Sequence, residues 1–270
     1  MKKSISVVIP NFNGESLLKQ NLPSVFEALS FASLEYEVIV SDDASSDNSI
    51  LFLEKEFPEI KIVKNSKNQG FSKNINAGIQ VATKDLVFAL NSDVKLTKDY
   101  FVPILKYFDA EDTFGVMGRI VGLDNDIIQD SAKFPQLKGF NIKGTVNYLI
   151  ENVDENFWIP SFFLSGANAL IDRKKLQLLH GYDEIYSPFY FEDVDLSIRA
   201  WKLGWKSYYE HNSICRHPNS ITITKYNKKK VVKVIATRNK YMLHALHLEG
   251  NKLFLWNTQL FLTQIFRSPL

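Results

Sequence analysis

An α/β fold with a Rossmann-like, mostly parallel central sheet flanked by helices is what three features of this sequence predict. Four short apolar runs recur along the first half, segments of helical spacing lie between them, and each run ends in a polar or glycine-bearing loop. Runs that stay apolar, with no alternation, fit strands covered on both faces, as parallel strands are.

The first strand is expected from Ile5 to Ile9, before Pro10 and Asn11. Leu17, Leu18, Val25, Phe26 and Leu29 mark the first helix. Strand two falls at Glu37 to Val40, and Ile50, Leu51 and Leu53 follow it as a short helix. Strand three spans Ile60 to Val63, Ile75, Ile79 and Val81 mark the third helix, and strand four is Leu86 to Leu90. Steps of about 30 residues suit βαβ units. Right-handed crossovers then put every strand-end loop on one edge, the carboxyl edge where open α/β sheets bind ligands.

Those loops carry amides and carboxylates: Pro10-Asn11-Phe12-Asn13-Gly14, Ser41 to Asp47, Asn68-Gln69-Gly70-Phe71, and Asn91-Ser92-Asp93. None matches a dinucleotide fingerprint or a Walker loop, so no glycine-cradled phosphate is expected. An Asp ending strand two can accept from a base N–H or a ribose hydroxyl. Asp93 can hold a divalent cation that bridges two phosphates, since hard cations take oxygen ligands. Asp47, just before Asn48-Ser49-Ile50, reads better as a helix cap. Far downstream lies an acidic run, Phe191-Glu192-Asp193-Val194-Asp195-Leu196. Two separated carboxylate sites suggest metal-assisted transfer with a separate base, provided the fold brings them together. Acidic residues in a first helical turn also favour the helix dipole, an alternative weighed for Glu192 and Asp195.

Composition frames these expectations. With 270 residues, 45% of them hydrophobic, the chain can bury one large core or two small ones. Its one cysteine, Cys215, rules out an intramolecular disulfide and suits a reducing compartment. The basic start Met1-Lys2-Lys3 precedes an apolar stretch too short for a signal peptide, so a cytoplasmic N-terminus is expected. The net charge of +2 conceals an asymmetry: from Ile221 to Leu270 nine basic residues face one acidic residue, giving +8, which leaves −6 on the first 220. A basic segment rich in Leu, Phe and Trp fits a surface meeting anionic lipid or a phosphate-bearing acceptor, and equally an amphipathic helix packed on the core.

Taken in order, these motifs resemble the family 2 glycosyltransferases with a GT-A fold. Val7 to Gly14, Asp42 to Asp47, Asn68 to Gly78 and Leu90 to Asp93 match the first half. Ser165-Gly166-Ala167, Gly181 to Glu184, Glu192 to Ala200, and His217 with Ser220 continue the match. The set most resembles the rhamnosyltransferase-like, inverting branch. The resemblance implies that Asp43 recognises the nucleotide base, with Pro10, Asn11, Phe12, Asn68, Gly70 and Ser92 also on the nucleotide. It implies Asp93 and His217 on Mg²⁺ or Mn²⁺, Asp193 as general base, and Gly166, Glu192 and Trp158 on the acceptor side. Asn91 and Ser92 replace acidic residues of the fullest metal motif, so the metal would rely on diphosphate oxygens and water.

The expected organisation is a catalytic domain over 1–220, with a nucleotide-sugar part at 1–115 and an acceptor-side part at 116–220, then a basic amphipathic helical tail at 221–270. The expected reaction moves a sugar from a UDP- or dTDP-linked donor to a hydroxyl of a glycan or lipid-linked acceptor in surface polysaccharide synthesis. It would occur in the cytoplasm, at the inner face of the membrane through 221–270, with no nucleic-acid partner. A sugar nucleotidyltransferase or a catalytically silent GT-A binding protein are the alternatives. The first would want a glycine- and basic-rich phosphate loop, and the second would have lost Asp43, Asp93 or Asp193.

Overall fold

The computed structural model describes residues 3–150, 157–218 and 228–265. Ser220, and residues 221–227 and 266–270 of the expected basic tail, lie outside these described residues. Strand β1 (Ile5–Asn11) pairs in parallel with β2 (Tyr36–Asp42) and β4 (Leu86–Leu90), and β2 pairs with β3 (Lys61–Lys64). The strands β1 and β4 are buried almost throughout, the burial that unbroken apolar runs require.

The helices α1 (Glu15–Phe31), α2 (Ser49–Glu56) and α3 (Phe71–Gln80) connect these strands. Leu18, Leu22, Val25 and Leu29 form the buried stripe of α1, spaced three or four residues apart. Parallel pairing leaves the ends of β1, β2 and β4 at one edge, as the alternation predicts.

The second half extends this sheet in a way the pattern of apolar runs does not reveal. The order is β3-β2-β1-β4-β11-β6-β12-β10, with β6 (Thr113–Val121), β10 (Ile159–Pro160), β11 (Asn168–Asp172) and β12 (Lys206–Arg216). Strand β11 runs antiparallel to both β4 and β6, while β12 is parallel to β6. At its margins β5 (Lys95–Leu96) joins β12 and β7 (Ile128–Asp130) joins β6. A separate hairpin is formed by β8 (Lys133–Lys138) and β9 (Asn141–Asn147).

Short helices α4 (Phe101–Ile104) and α5 (Arg173–Leu178) precede α6 (Glu192–Lys202), which carries Glu192, Asp193 and Asp195 in its first turn. Beyond it, α7 (Lys229–His247) and α8 (Gly250–Ile265) account for the described part of the basic segment. Helix α7 packs on the body of the protein, with Asn239, Leu243 and His244 buried, and α8 lays Trp256 flat on His244 at 5.3 Å between ring centroids. Among the described residues no helix is long and apolar enough to cross a membrane.

Candidate active site

The strand-end loops open on a cleft of about 620 Å³. Pro10, Asn11, Phe12, Asp43, Asn68, Gly70, Ser92, Asp93, Gly166, Glu192, Asp193 and His217 all line it, so the fold gathers all but one of the expected site residues.

The exception is Trp158. Its ring packs against Tyr107 at 4.7 Å and Tyr208 at 5.4 Å, and it belongs to the margin of the main core. The reason is positional: it directly precedes β10, whose pairing with Tyr208 and Tyr209 of β12 turns its side chain onto the sheet face that Tyr107 covers. An acceptor-side role for Trp158 is therefore withdrawn.

At the end of β2 two adjacent aspartates divide the work. Asp42 accepts from Asn11 Nδ2 at 2.8 Å, Ser45 Oγ at 2.6 Å and Ser45 N–H at 2.9 Å, which locks the β1 and β2 loops together. Asp43 accepts from Gln69 N–H and Gly70 N–H at 2.9–3.0 Å, and from Asn65 Nδ2 at 3.0 Å. A carboxylate offers about four acceptor sites, so these bonds engage most of Asp43 and make it the organiser of the 68–70 loop. Asp47 accepts from Ser49 N–H and Glu15 N–H, both at 3.0 Å, at the first turns of two helices. Gly70 must be glycine: its φ is +86°, and a Cβ would lie 2.6 Å from Pro188 Cα.

That close approach joins the two halves of the site. Phe71 N–H donates to Pro188 O at 2.8 Å, so the loop after β3 rests on the segment leading into α6. Asn91 N–H donates to Ala167 O at 3.1 Å, and Gly166 N–H donates to Asp193 Oδ2 at 3.3 Å. Contacts between distant segments thus bring the Asn91-Ser92-Asp93 loop and the acidic run to one cleft.

Asp93 is buried, and Asn21 Nδ2 of α1 holds its loop through Ser92 O at 2.9 Å. His217 follows β12, is anchored by its N–H to Val121 O, and places Nε2 3.2 Å from Asp93 Oδ1. One carboxylate and one imidazole facing an open cleft suit a divalent cation that keeps positions for other ligands. Among the described residues no group of three or more His, Cys, Asp or Glu could hold a metal, so donors from a substrate or water would complete the shell.

In the first turn of α6, Asp193 accepts from Val194 N–H at 2.8 Å and from Gly166 N–H at 3.3 Å. Burial raises its carboxyl to about 6, against the lowering by these hydrogen bonds, with Asp130 adding a further upward push. Burial and the Asp193 charge push Glu192 up as well. Asp195 points away from the cleft, accepting from Arg199 Nε at 2.7 Å and His247 Nε2 at 2.7 Å. Burial alone would raise it, but the His247 hydrogen bond and the Arg199 charge outweigh that and hold it low.

Two residues at this site carry no signal in the sequence. Asp130 at the end of β7 lines the cleft, and Asn239 of α7 supports its wall from behind. Asn239 Nδ2 lies 2.6 Å from Tyr186 O and 2.9 Å from both Phe189 O and Tyr190 O. Neither belongs to a motif, and only an alignment of relatives or the fold itself could single them out.

Known proteins agree with this fold. The family described as Glycosyl transferase family 2 matches residues 6–179. An uncharacterized glycosyltransferase of Nostoc sp. is 34% identical over 140 residues, covering 49% of this chain and 42% of that protein. The undecaprenyl-phosphate 4-deoxy-4-formamido-L-arabinose transferase of Proteus mirabilis is 33% identical over 118 residues, covering 42% and 36%. The chain therefore spans less than half the length of either relative. Among solved structures, GalNAc-T7 with UDP, GalNAc and Mn²⁺ superposes with a TM-score of 0.71 at 16% identity, over 89% of this chain and 47% of that one. With the family match covering more than half of its length, this chain belongs to glycosyl transferase family 2 and has the GT-A fold.

Proposed function

We propose that the protein is an inverting, metal-dependent glycosyltransferase that moves a sugar from a UDP- or dTDP-linked donor to a hydroxyl of a glycan or lipid-linked acceptor. One observation carries this reading: Asp193, at the start of α6, and the Asp93–His217 pair, after β4 and β12, line a single cleft. A single displacement needs a base on one side of the anomeric carbon and charge stabilisation for the leaving diphosphate on the other.

Asp193 takes the proton of the acceptor hydroxyl as that oxygen attacks the anomeric carbon. The bond from that carbon to the diphosphate oxygen breaks, and the electron pair leaves with the nucleoside diphosphate. Phe12, Asn68 and the loop held by Asp43 receive the nucleoside end, with Pro10 and Asn11 beside them. Asp93 and His217 would hold Mg²⁺ or Mn²⁺. Such a cation neutralises charge developing on the diphosphate. The donor set supports the assignment, and so does the charge of the cleft: its lining includes Asp43, Asp93, Asp130, Glu192 and Asp193, and among the described lining residues neither Lys nor Arg. A diphosphate would enter such a site poorly without a cation.

A cytoplasmic, membrane-peripheral setting is part of the proposal. Exposed Lys228, Lys229, Lys230 and Lys233, together with exposed Phe254 and Phe261 on α8, support it.

The direct test is incubation with candidate nucleotide sugars and Mn²⁺ or Mg²⁺. Hydrolysis or transfer with at least one donor is expected; neither turnover nor metal-dependent nucleotide binding with any of them would reject the proposal. Asp93→Ala should weaken metal-dependent nucleotide binding by about tenfold or more in calorimetry, an order common for damaged metal sites. Binding that stays unchanged, or that ignores EDTA in the parent protein, would remove Asp93 from the metal.

A pH profile adds an independent check. A base must be deprotonated to accept, so with its carboxyl raised to about 6 turnover should climb with pH through a limb near that value. The limb reports the Glu192–Asp193 pair jointly. A limb at the ordinary carboxylate range near pH 4 would contradict the buried base.

A further inference from the structure

On the acceptor side of the cleft, Asp130 closes β7 directly beside the hairpin formed by β8 and β9. Its ion-pair partner is Lys133, whose side chain is 9% exposed and whose Nζ also donates to Asn147 Oδ1 at 2.6 Å. That lysine is committed: its ammonium also lies 5.6 Å from the centre of the Phe163 ring. The Asp130 side chain is itself 19% exposed and contributes to the cleft wall along with Asp193 and Gly166.

A second, independent feature lies at the same cleft. Glu192 is only 7% exposed, lines the cleft, and has Oε2 buried with no hydrogen-bond partner among the described residues. A buried carboxyl oxygen left without a partner is costly, and a ligand hydroxyl would satisfy it.

We infer that Asp130 and Glu192 form an acceptor subsite that binds the neighbouring hydroxyls of a neutral sugar, and that the nucleophile is one of those hydroxyls rather than a lipid phosphate. This rests on the glycosyltransferase reading of the cleft and narrows its acceptor class. Three carboxyl groups, Asp130, Glu192 and Asp193, line the same cleft. Carboxylates are acceptors that suit O–H donors, whereas a phosphate oxygen brings negative charge and, once ionised, no donor. An ionised Asp193 would repel it in a partly desolvated site. A base would also be superfluous, because a phosphate oxygen is already deprotonated at neutral pH. The Proteus mirabilis relative, whose name carries an undecaprenyl phosphate, would then differ from this chain at the acceptor.

The test uses the full chain, the nucleotide sugar that it turns over, and two acceptor sets: neutral oligosaccharides or simple glycosides, and a polyprenyl phosphate in detergent micelles. Transfer to the neutral set is expected, with at least tenfold lower kcat/KM, or none, for the polyprenyl phosphate. In Asp130→Asn the acceptor KM should rise about tenfold or more, while the nucleotide dissociation constant in the presence of metal stays within about twofold. Matched melting temperatures of the parent and the variant would show that the change is local. Should the variant fail to fold, the acceptor comparison with the parent protein decides alone. Preferred transfer to the phosphate, or an unchanged acceptor KM in Asp130→Asn, overturns the subsite while leaving the glycosyltransferase reading intact. Absence of any nucleotide-sugar turnover overturns both.

Discussion

Asp193→Asn should lower turnover by roughly 10²–10⁴-fold, the span typical of a lost general base, while leaving nucleotide affinity nearly unchanged. Asparagine keeps the size of the side chain and can still accept through its one carbonyl oxygen from Val194 N–H, the shorter of the two bonds that Asp193 makes with its separate oxygens. Proton acceptance and the longer bond from Gly166 N–H are removed. The acidic limb near pH 6 should disappear from the residual rate, which distinguishes a lost base from a displaced loop. Steady-state kinetics with saturating donor gives the measurement. Turnover within about threefold of the parent would reject Asp193 as the base, since base removal is worth far more than that.

Asn239→Ala should have the second largest effect, although Asn239 touches no substrate. The segment it supports is strained: Tyr190 and Phe191 have φ of 74° and 76°, values that bulky side chains rarely adopt. They immediately precede Glu192 and Asp193, so the strain sits at the start of the helix that carries the proposed base. The Asn239 amide holds Tyr186 O, Phe189 O and Tyr190 O, and Arg238 of the same helix donates to Ser187 O.

Truncation leaves buried carbonyls unpaired, at about 1–3 kcal/mol each, and frees the strained turn to relax. A loss of roughly 2–4 kcal/mol in stability is expected on that basis. At temperatures where the variant remains folded, turnover should fall by more than about tenfold because the base is displaced. Asn239→Asp should fail to rescue, since a carboxylate offers acceptors to carbonyls that need a donor. A variant with normal melting and normal kcat would show that α7 does not position this loop.

The sequence made much of the sheet readable for a physical reason. Parallel strands buried on both faces must be apolar throughout, and β1 and β4 are; the boundaries expected for β4 match the observed strand, and those for β1 fall two residues short. Where strands are paired at the margins, the signal fails. Strand β12 mixes Lys206, Glu210, His211 and Asn212 with apolar residues, and β7 has three residues. Neither presents a period long enough to read. Trp158 shows the same limit at the level of one residue: an aromatic near a proposed cleft has equal claim to core and site, and only the pairing of β10 decides it for the core.

Asp43 shows a different limit. Its position at the end of β2 is fixed by local pattern, but its oxygens are engaged by Gln69, Gly70 and Asn65, residues that come more than 20 positions later. Asp195 lies two residues from Asp193 on one helix yet turns the other way, toward Arg199 and toward His247 of α7. The 3.6-residue turn separates neighbours in sequence by wide angles, so an acidic run does not by itself say which member faces a ligand.

What the sequence alone determined is the set of strand-end loops and their chemistry, because apolar periodicity and right-handed crossovers bring the ends of β1, β2 and β4 to one edge. What only the tertiary structure decided is the gathering of the two carboxylate sites at one cleft. Insertion of the antiparallel β11 between β4 and β6 carries Ser165-Gly166-Ala167 to Asn91 on one side and to Asp193 on the other. The placements of Asp130 and Asn239 were decided there too. They depend on hydrogen bonds and packing between segments far apart in the chain, and no local pattern encodes a contact of that range.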